Sequence, residues 1–204
     1  MGEKQSAKSK SAVKPAAKSA SKSVYDESKI KTLSSLEHIR LRTGMYIGRL
    51  GDGTNQNDGI YILLKEVIDN AVDEFIMGNG KRVDVEIKEN RVKVRDYGRG
   101  IPQGKLVDCV SVINTGAKYN SEVFQFSVGL NGVGTKAVNA LSSYFRVVSV
   151  REGKAAEAIF EHGKLISNKT AKIKEGTKDG TYVEFVPDTE IFGQYAFNME
   201  FVER

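Results

Sequence analysis

The 204 residues carry a formal net charge of +5, 28% charged side chains, one cysteine, two histidines and no tryptophan. That length suits one sizeable domain or two small ones. A lone cysteine excludes an intrachain disulfide framework, and Cys109 with His38 and His162 falls short of a usual zinc ligand set. No apolar run approaches the ~20 residues of a membrane span, and no signal-like apolar segment opens the chain. A cytoplasmic protein without membrane association is expected.

The charge is not spread evenly. Residues 1–23 hold six lysines against one acid, Glu3, which accounts for the whole excess; the other 181 residues are balanced. Such a Lys/Ser/Ala segment is too poor in apolar residues to fold alone, so a disordered basic tail is expected over 1–23. The domain is expected over 24–204, opening with an extended arm at about 24–34 that exposes Tyr25 and Ile30. Nothing in the balanced body favours nucleic acid as a direct ligand.

Ser34-Ser35-Leu36-Glu37 is a capping-box pattern and predicts a short helix, stopped at Gly44. A loop rich in Gly, Asp and Asn follows over 48–59. Residues 59–77 predict the main helix, with Ile60, Leu64, Val67, Ala71 and Phe75 as one buried stripe. Val83, Val85 and Ile87, a turn at Glu89-Asn90, then Val92 and Val94 predict a hairpin. Asp96-Tyr97-Gly98-Arg99-Gly100-Ile101-Pro102 is a loop, and helices are expected near 105–114 and 135–141. The chain from 144 to 186 is mostly β, with strands at 145–150, 156–161 and 182–186. Early helices and late strands point to an α+β two-layer sandwich, its sheet mostly antiparallel with helices on one face.

Three positions along this pattern carry chemistry. At roughly 100° per residue, Glu66, Asn70 and Asp73 share one narrow stripe of the main helix. A carboxylate and an amide oxygen four residues apart suit a hard cation such as Mg²⁺, and a neighbouring carboxylate could take a proton from water. Asp96 falls on the same side of its strand as Val92 and Val94, where a carboxylate needs donors. Gly98 and Gly100 beside it let a flat ligand approach, and an exocyclic amine would be a fitting donor. Gly129, Gly132 and Gly134 precede a helix, a setting in which backbone N–H groups favour phosphate, with Lys118 and Lys136 close in sequence. Taken singly, each has a plainer reading: a solvated helix face, a turn cap, a flexible loop.

The order of these features resembles the Bergerat-type (GHKL) ATP-binding fold of gyrase, heat-shock chaperones, sensor kinases and mismatch-repair ATPases. Whole phrases are similar to the ATPase domain of bacterial type IIA topoisomerase B subunits. They are LRTGMYIG (41–48), EVIDNAVDE (66–74), DYGRGIP (96–102), GLNGVGTKAVNALS (129–142) and REGK (151–154). Thr43, where the gyrase phrase has Pro, is a local change. Asn131 in place of His and Val128 in place of Gly lean toward the topoisomerase IV branch.

The resemblance implies ATP and Mg²⁺ as cofactors, with Glu66 as general base and Asn70 as the Mg²⁺ ligand. Asp73 is expected beside them in the cofactor site. Asp96 would read the adenine amine, with Thr181 holding a water; Gly100 and Ile101 would complete the pocket, and Arg99 and Pro102 would line its mouth. Lys118 and Gly129, Leu130, Asn131, Gly132, Val133 and Gly134 would close over the triphosphate. Arg151 would mark the edge where aminocoumarin-like inhibitors bind. The implied partners are a second copy of the subunit, engaged through the Tyr25/Ile30 arm when ATP is bound, an A-type DNA-cleaving subunit, and DNA through the complete enzyme. Transducer and DNA-cleavage domains are expected to be absent from this chain. Two other functions fit the same motifs: a nucleotide-dependent dimerisation switch with negligible turnover, and a kinase module.

Overall fold

The computed structural model describes residues 30–116, 132–170 and 172–203. Leu33–Arg204 form one compact unit and Met1–Thr32 a second, of which only residues 30–32 are described. The tail at 1–23 and Tyr25 therefore lie outside the described residues, and Ile30 is exposed.

Helix α1 (Ser35–Leu41) starts on the predicted capping box: Ser34 Oγ accepts from the Glu37 N–H and Glu37 accepts from the Ser34 N–H. It does not run on to Gly44. The backbone breaks at Arg42, α2 (Thr43–Ile47) carries Gly44 inside it, and Gly48 at φ 65° ends it. The following loop folds around Asp58, whose fully buried carboxylate accepts the N–H groups of Gly53 and Asn55 at Oδ2 and forms an ion pair with Arg49 through Oδ1.

Helix α3 (Gly59–Ile76) buries Ile60, Leu63, Leu64, Val67 and Ala71, close to the predicted stripe. Phe75 departs from it and is 59% exposed, although Asp73 in the same turn is fully buried. The hairpin follows as β1 (Val83–Lys88) and β2 (Arg91–Asp96). A 3-10 turn at Gln103–Lys105 leads into α4 (Leu106–Ser111), shorter than expected. Helix α5 (Gly134–Ala140) precedes β3 (Ser142–Arg151), β4 (Lys154–Glu161), β5 (Lys164–Thr170) and β6 (Gly180–Pro187). Two short helices, α6 (Thr189–Phe192) and α7 (Met199–Val202), finish the described chain.

The six strands make one antiparallel sheet in the order β1-β2-β6-β3-β4-β5. Its inner face is built in rows that the period of two aligns across strands. The first row, Val92, Phe185, Phe145 and Phe160, is aromatic and almost entirely buried. Burying each phenylalanine contributes ~1.5–3 kcal/mol. The second row, Val94, Val183, Val147 and Ala158, is small and aliphatic. The third row turns polar: the Thr181 N–H donates to Asp96 Oδ1 at 3.0 Å, and Thr181 pairs with Ser149. The opposite face carries ion pairs, among them Arg91–Glu184, Arg146–Glu157 and Lys93–Glu86. The α+β antiparallel architecture expected from the sequence is therefore present, and the inner face changes from core to site along its own strands.

Candidate nucleotide site

A cleft of ≈ 960 Å³ opens over the second and third rows, between the sheet and helices α3, α4 and α5. Its floor is Val94, Val183 and Val147 with Asp96 and Thr181 beside them. Its walls include Glu66 and Asn70 from α3, Arg99, Gly100, Ile101 and Pro102 from the loop after β2, and Gly132, Val133 and Gly134 leading into α5. Arg151, at the end of β3, also lines it. A smaller hollow of ≈ 630 Å³ beside Arg49 and Phe192 holds none of the residues the sequence singles out.

Asp96 sits at the base of the cleft, only 8% exposed. Oδ1 accepts the N–H groups of Gly98 and Thr181, at 2.9 and 3.0 Å. Oδ2 meets no protein donor among the described residues. Burial pushes the Asp96 carboxyl up from its ordinary value; the two backbone donors and Arg95 oppose the shift. A buried carboxylate with one satisfied and one waiting oxygen is built to accept from a ligand. The valine floor beside it suits the face of a flat ring.

The loop after Asp96 is held on both sides. Gly100, at φ +72°, lies so close to β3 that a Cβ would stand 2.5 Å from the Val150 carbonyl oxygen. The Ser149 hydroxyl donates to the Ile101 carbonyl at 2.7 Å. On the other side, Glu74 accepts from the Arg99 backbone N–H at 2.9 Å and from its guanidinium at 3.0 and 3.1 Å. The pair is partly exposed and stabilises little by charge alone, ~1 kcal/mol or less. Its effect is positional, fixing Arg99 at the cleft wall.

Across the cleft, the Asn70 amide nitrogen donates to the Glu66 carbonyl at 2.8 Å and to Thr135 Oγ1 at 2.9 Å. These bonds fix which end of the amide is nitrogen, so any cation held there would meet Oδ1. Gly134 abuts Glu66: a Cβ there would overlap the Glu66 carboxylate where it now lies, so a larger residue would displace that side chain. The Lys136 ammonium is buried and donates to the Thr115 carbonyl at 2.7 Å, with Lys136 and Thr115 both on the cleft wall.

One predicted member does not belong. Asp73 is fully buried and is not part of the cleft lining, whereas its neighbour Glu74 is. The spacing Glu66, Asn70, Glu74 continues in steps of four, and that step is the signal in the sequence that points to Glu74. Lys118, Gly129, Leu130 and Asn131 lie outside the described residues. Tyr46, Asp69 and Thr135, which fall inside the quoted phrases without a role assigned to them, and Cys109 also line the cleft.

Residues 55–191 match the family described as histidine kinase-, DNA gyrase B-, and HSP90-like ATPase. The chain belongs to this ATPase family. Within it, the chain is 66% identical over 180 residues to the B subunit of DNA topoisomerase 4 from Borreliella burgdorferi, covering 88% of this chain and 30% of that protein. It is 36% identical over 189 residues to the B subunit of DNA gyrase from the same organism, covering 88% and 29%. The chain thus spans under a third of the length of these relatives. Among solved structures, the 43K ATPase domain of Thermus thermophilus gyrase B, in complex with an aminocoumarin, matches with a TM-score of 0.67 and 32% identity. That match covers 84% of this chain and 44% of the other. The six-stranded sheet with its helices is the fold of that ATPase domain.

Proposed function

We propose that the chain is the ATP-binding and ATP-hydrolysing part of the B subunit of a type IIA DNA topoisomerase. The observation that carries this reading is Asp96, a buried carboxylate that shares one cleft lining with Val94, Val147, Val183, Glu66 and Asn70. Adenine would lie on the valines and donate its amine to Asp96, with Thr181 beside it. The phosphates would then extend toward Asn70 and Gly132–Gly134.

The donor set fits Mg²⁺, which takes one or two protein oxygens and completes its shell with phosphate and water. Asn70 Oδ1 would hold the ion, whose charge would offset that of the triphosphate. Glu66, fixed against Gly134, would orient a water and accept its proton. Phosphoryl transfer to water asks mainly for this kind of positioning and charge neutralisation. Lys118 and residues 129–131, as part of a lid over the phosphates, belong to the same proposal.

In the complete enzyme, ATP-gated pairing with a second copy through the Tyr25/Ile30 arm would couple the cycle to DNA strand passage, together with an A-type DNA-cleaving partner. Arg151 on the cleft lining is the residue proposed to mark the edge of an aminocoumarin-like inhibitor site; the Thermus gyrase B domain was solved in complex with an aminocoumarin. Among the described residues, no helix is long and apolar enough to cross a membrane. Titration calorimetry with a non-hydrolysable ATP analogue tests the reading. One nucleotide should bind per chain, more weakly when Mg²⁺ is chelated. Absence of binding would contradict it.

A further inference from the structure

Three consecutive residues open α5, and each meets a different part of the nucleotide cleft. Gly134 lies against the Glu66 carboxylate. Thr135 Oγ1 accepts from the Asn70 amide nitrogen at 2.9 Å, and the buried Lys136 ammonium donates to the Thr115 carbonyl at 2.7 Å. Glu66 and Asn70 have assigned roles; Thr135, which lines the same cleft, has none. The bond from Asn70 to Thr135 crosses from α3 to α5, 65 residues on. It ends on a side chain, so it depends on which residue stands at 135.

The Asn70 amide nitrogen carries two N–H donors. One acceptor is the Glu66 carbonyl at 2.8 Å, four residues back on the same helix, and the other is Thr135. With the first bond alone, the amide can swing about it. A second acceptor on a different helix fixes both its plane and its direction. The amide oxygen, the atom offered to a cation, is then held before any ligand arrives. Groups that orient a metal ligand from behind add to affinity without touching the ion. We propose that Thr135 is a positioning residue for the Asn70 oxygen, and that its hydroxyl sets how much Mg²⁺ the nucleotide needs in order to bind. The proposal rests on the ATP-binding reading.

The experiment measures, by equilibrium dialysis against the whole chain, how much of a non-hydrolysable ATP analogue is bound as Mg²⁺ is raised. The analogue's own affinity for Mg²⁺ is common to every sample and cancels in the comparison. Thr135→Val keeps the branched shape and removes the acceptor. The Mg²⁺ concentration at half-maximal binding should rise about 2- to 10-fold, the range that one neutral hydrogen bond supports. Thr135→Ala removes the same acceptor and should shift the midpoint likewise, whereas Thr135→Ser keeps the hydroxyl and should restore it. Binding with Mg²⁺ chelated should be alike in all four proteins. A parental midpoint in the Val and Ala variants would overturn the assignment. So would a Ser variant displaced as far as they are, or a loss of binding equal with and without Mg²⁺. Analogue binding by the parent that ignores Mg²⁺ would overturn the Asn70 site, and no binding at all would overturn the ATP reading.

Discussion

Glu66→Gln should lower ATP hydrolysis ~10²–10⁴-fold, the usual contribution of a positioned general base. Gln keeps the length of Glu and can still hydrogen-bond a water, yet it cannot take the water's proton near neutral pH. The Glu66 carboxylate lies against Gly134 at the start of α5, where the absence of a Cβ leaves space for it. The substitution therefore changes chemistry at an unchanged place. Binding of a non-hydrolysable analogue should persist, since Glu66 is not among the residues proposed to meet adenine. The assay belongs in the full-length protein, because the related topoisomerase chain is more than three times as long as the matched region. Steady-state phosphate release reads the outcome, and a parental rate in the Gln variant would place the base elsewhere.

Asp96→Asn should weaken ATP binding by ~1.5–3 kcal/mol, the worth of a hydrogen bond to a charged group, or about 10- to 150-fold in Kd. Asp96 has two oxygens: Oδ1 accepts two backbone N–H groups, and Oδ2 is the one proposed to meet adenine. Asn has one acceptor oxygen, so it can keep the loop or meet the adenine amine, not both. Folding should not suffer. Burial raises the Asp96 carboxyl above its unfolded value, so its ionised form costs the native state stability at neutral pH. The Asn variant should melt at or above the parental temperature at neutral pH. That gap should close as pH falls through the raised pKa, because protonation then stabilises the parent. Calorimetric Kd and melting curves at two pH values separate the two effects.

The sequence carries which face of an element turns inward further than it carries where that face ends. Asp96 can be placed on the core side of its strand by counting in twos from Val92, and the structure puts it there. Glu66 and Asn70 share a helix stripe for the same kind of reason. What counting misses is where a stripe ends. Phe75 keeps the spacing and is exposed, while Asp73 keeps the angle and is buried away from the cleft, since the neighbours of α3 change along its length. Strand β5 has Leu165 and Ile166 side by side, both exposed at the sheet edge, so no alternation announces it. The insertion of β6 between β2 and β3 depends on pairings some 40 and 90 residues apart, such as Val147 and Val94 with Val183, which no local pattern encodes. The Glu74 clamp on Arg99 joins a helix to a loop 25 residues on, and only the folded chain brings them together.

Comparing ATP with inosine triphosphate in the same calorimeter tests the central assignment most directly. The two differ at position 6, where an amine that donates becomes an oxygen that accepts and would face Asp96 Oδ2. ATP should bind at least ~10-fold more tightly, the lower end expected when a charged acceptor loses its donor. Equal affinities for the two nucleotides would contradict the placement of adenine against Asp96.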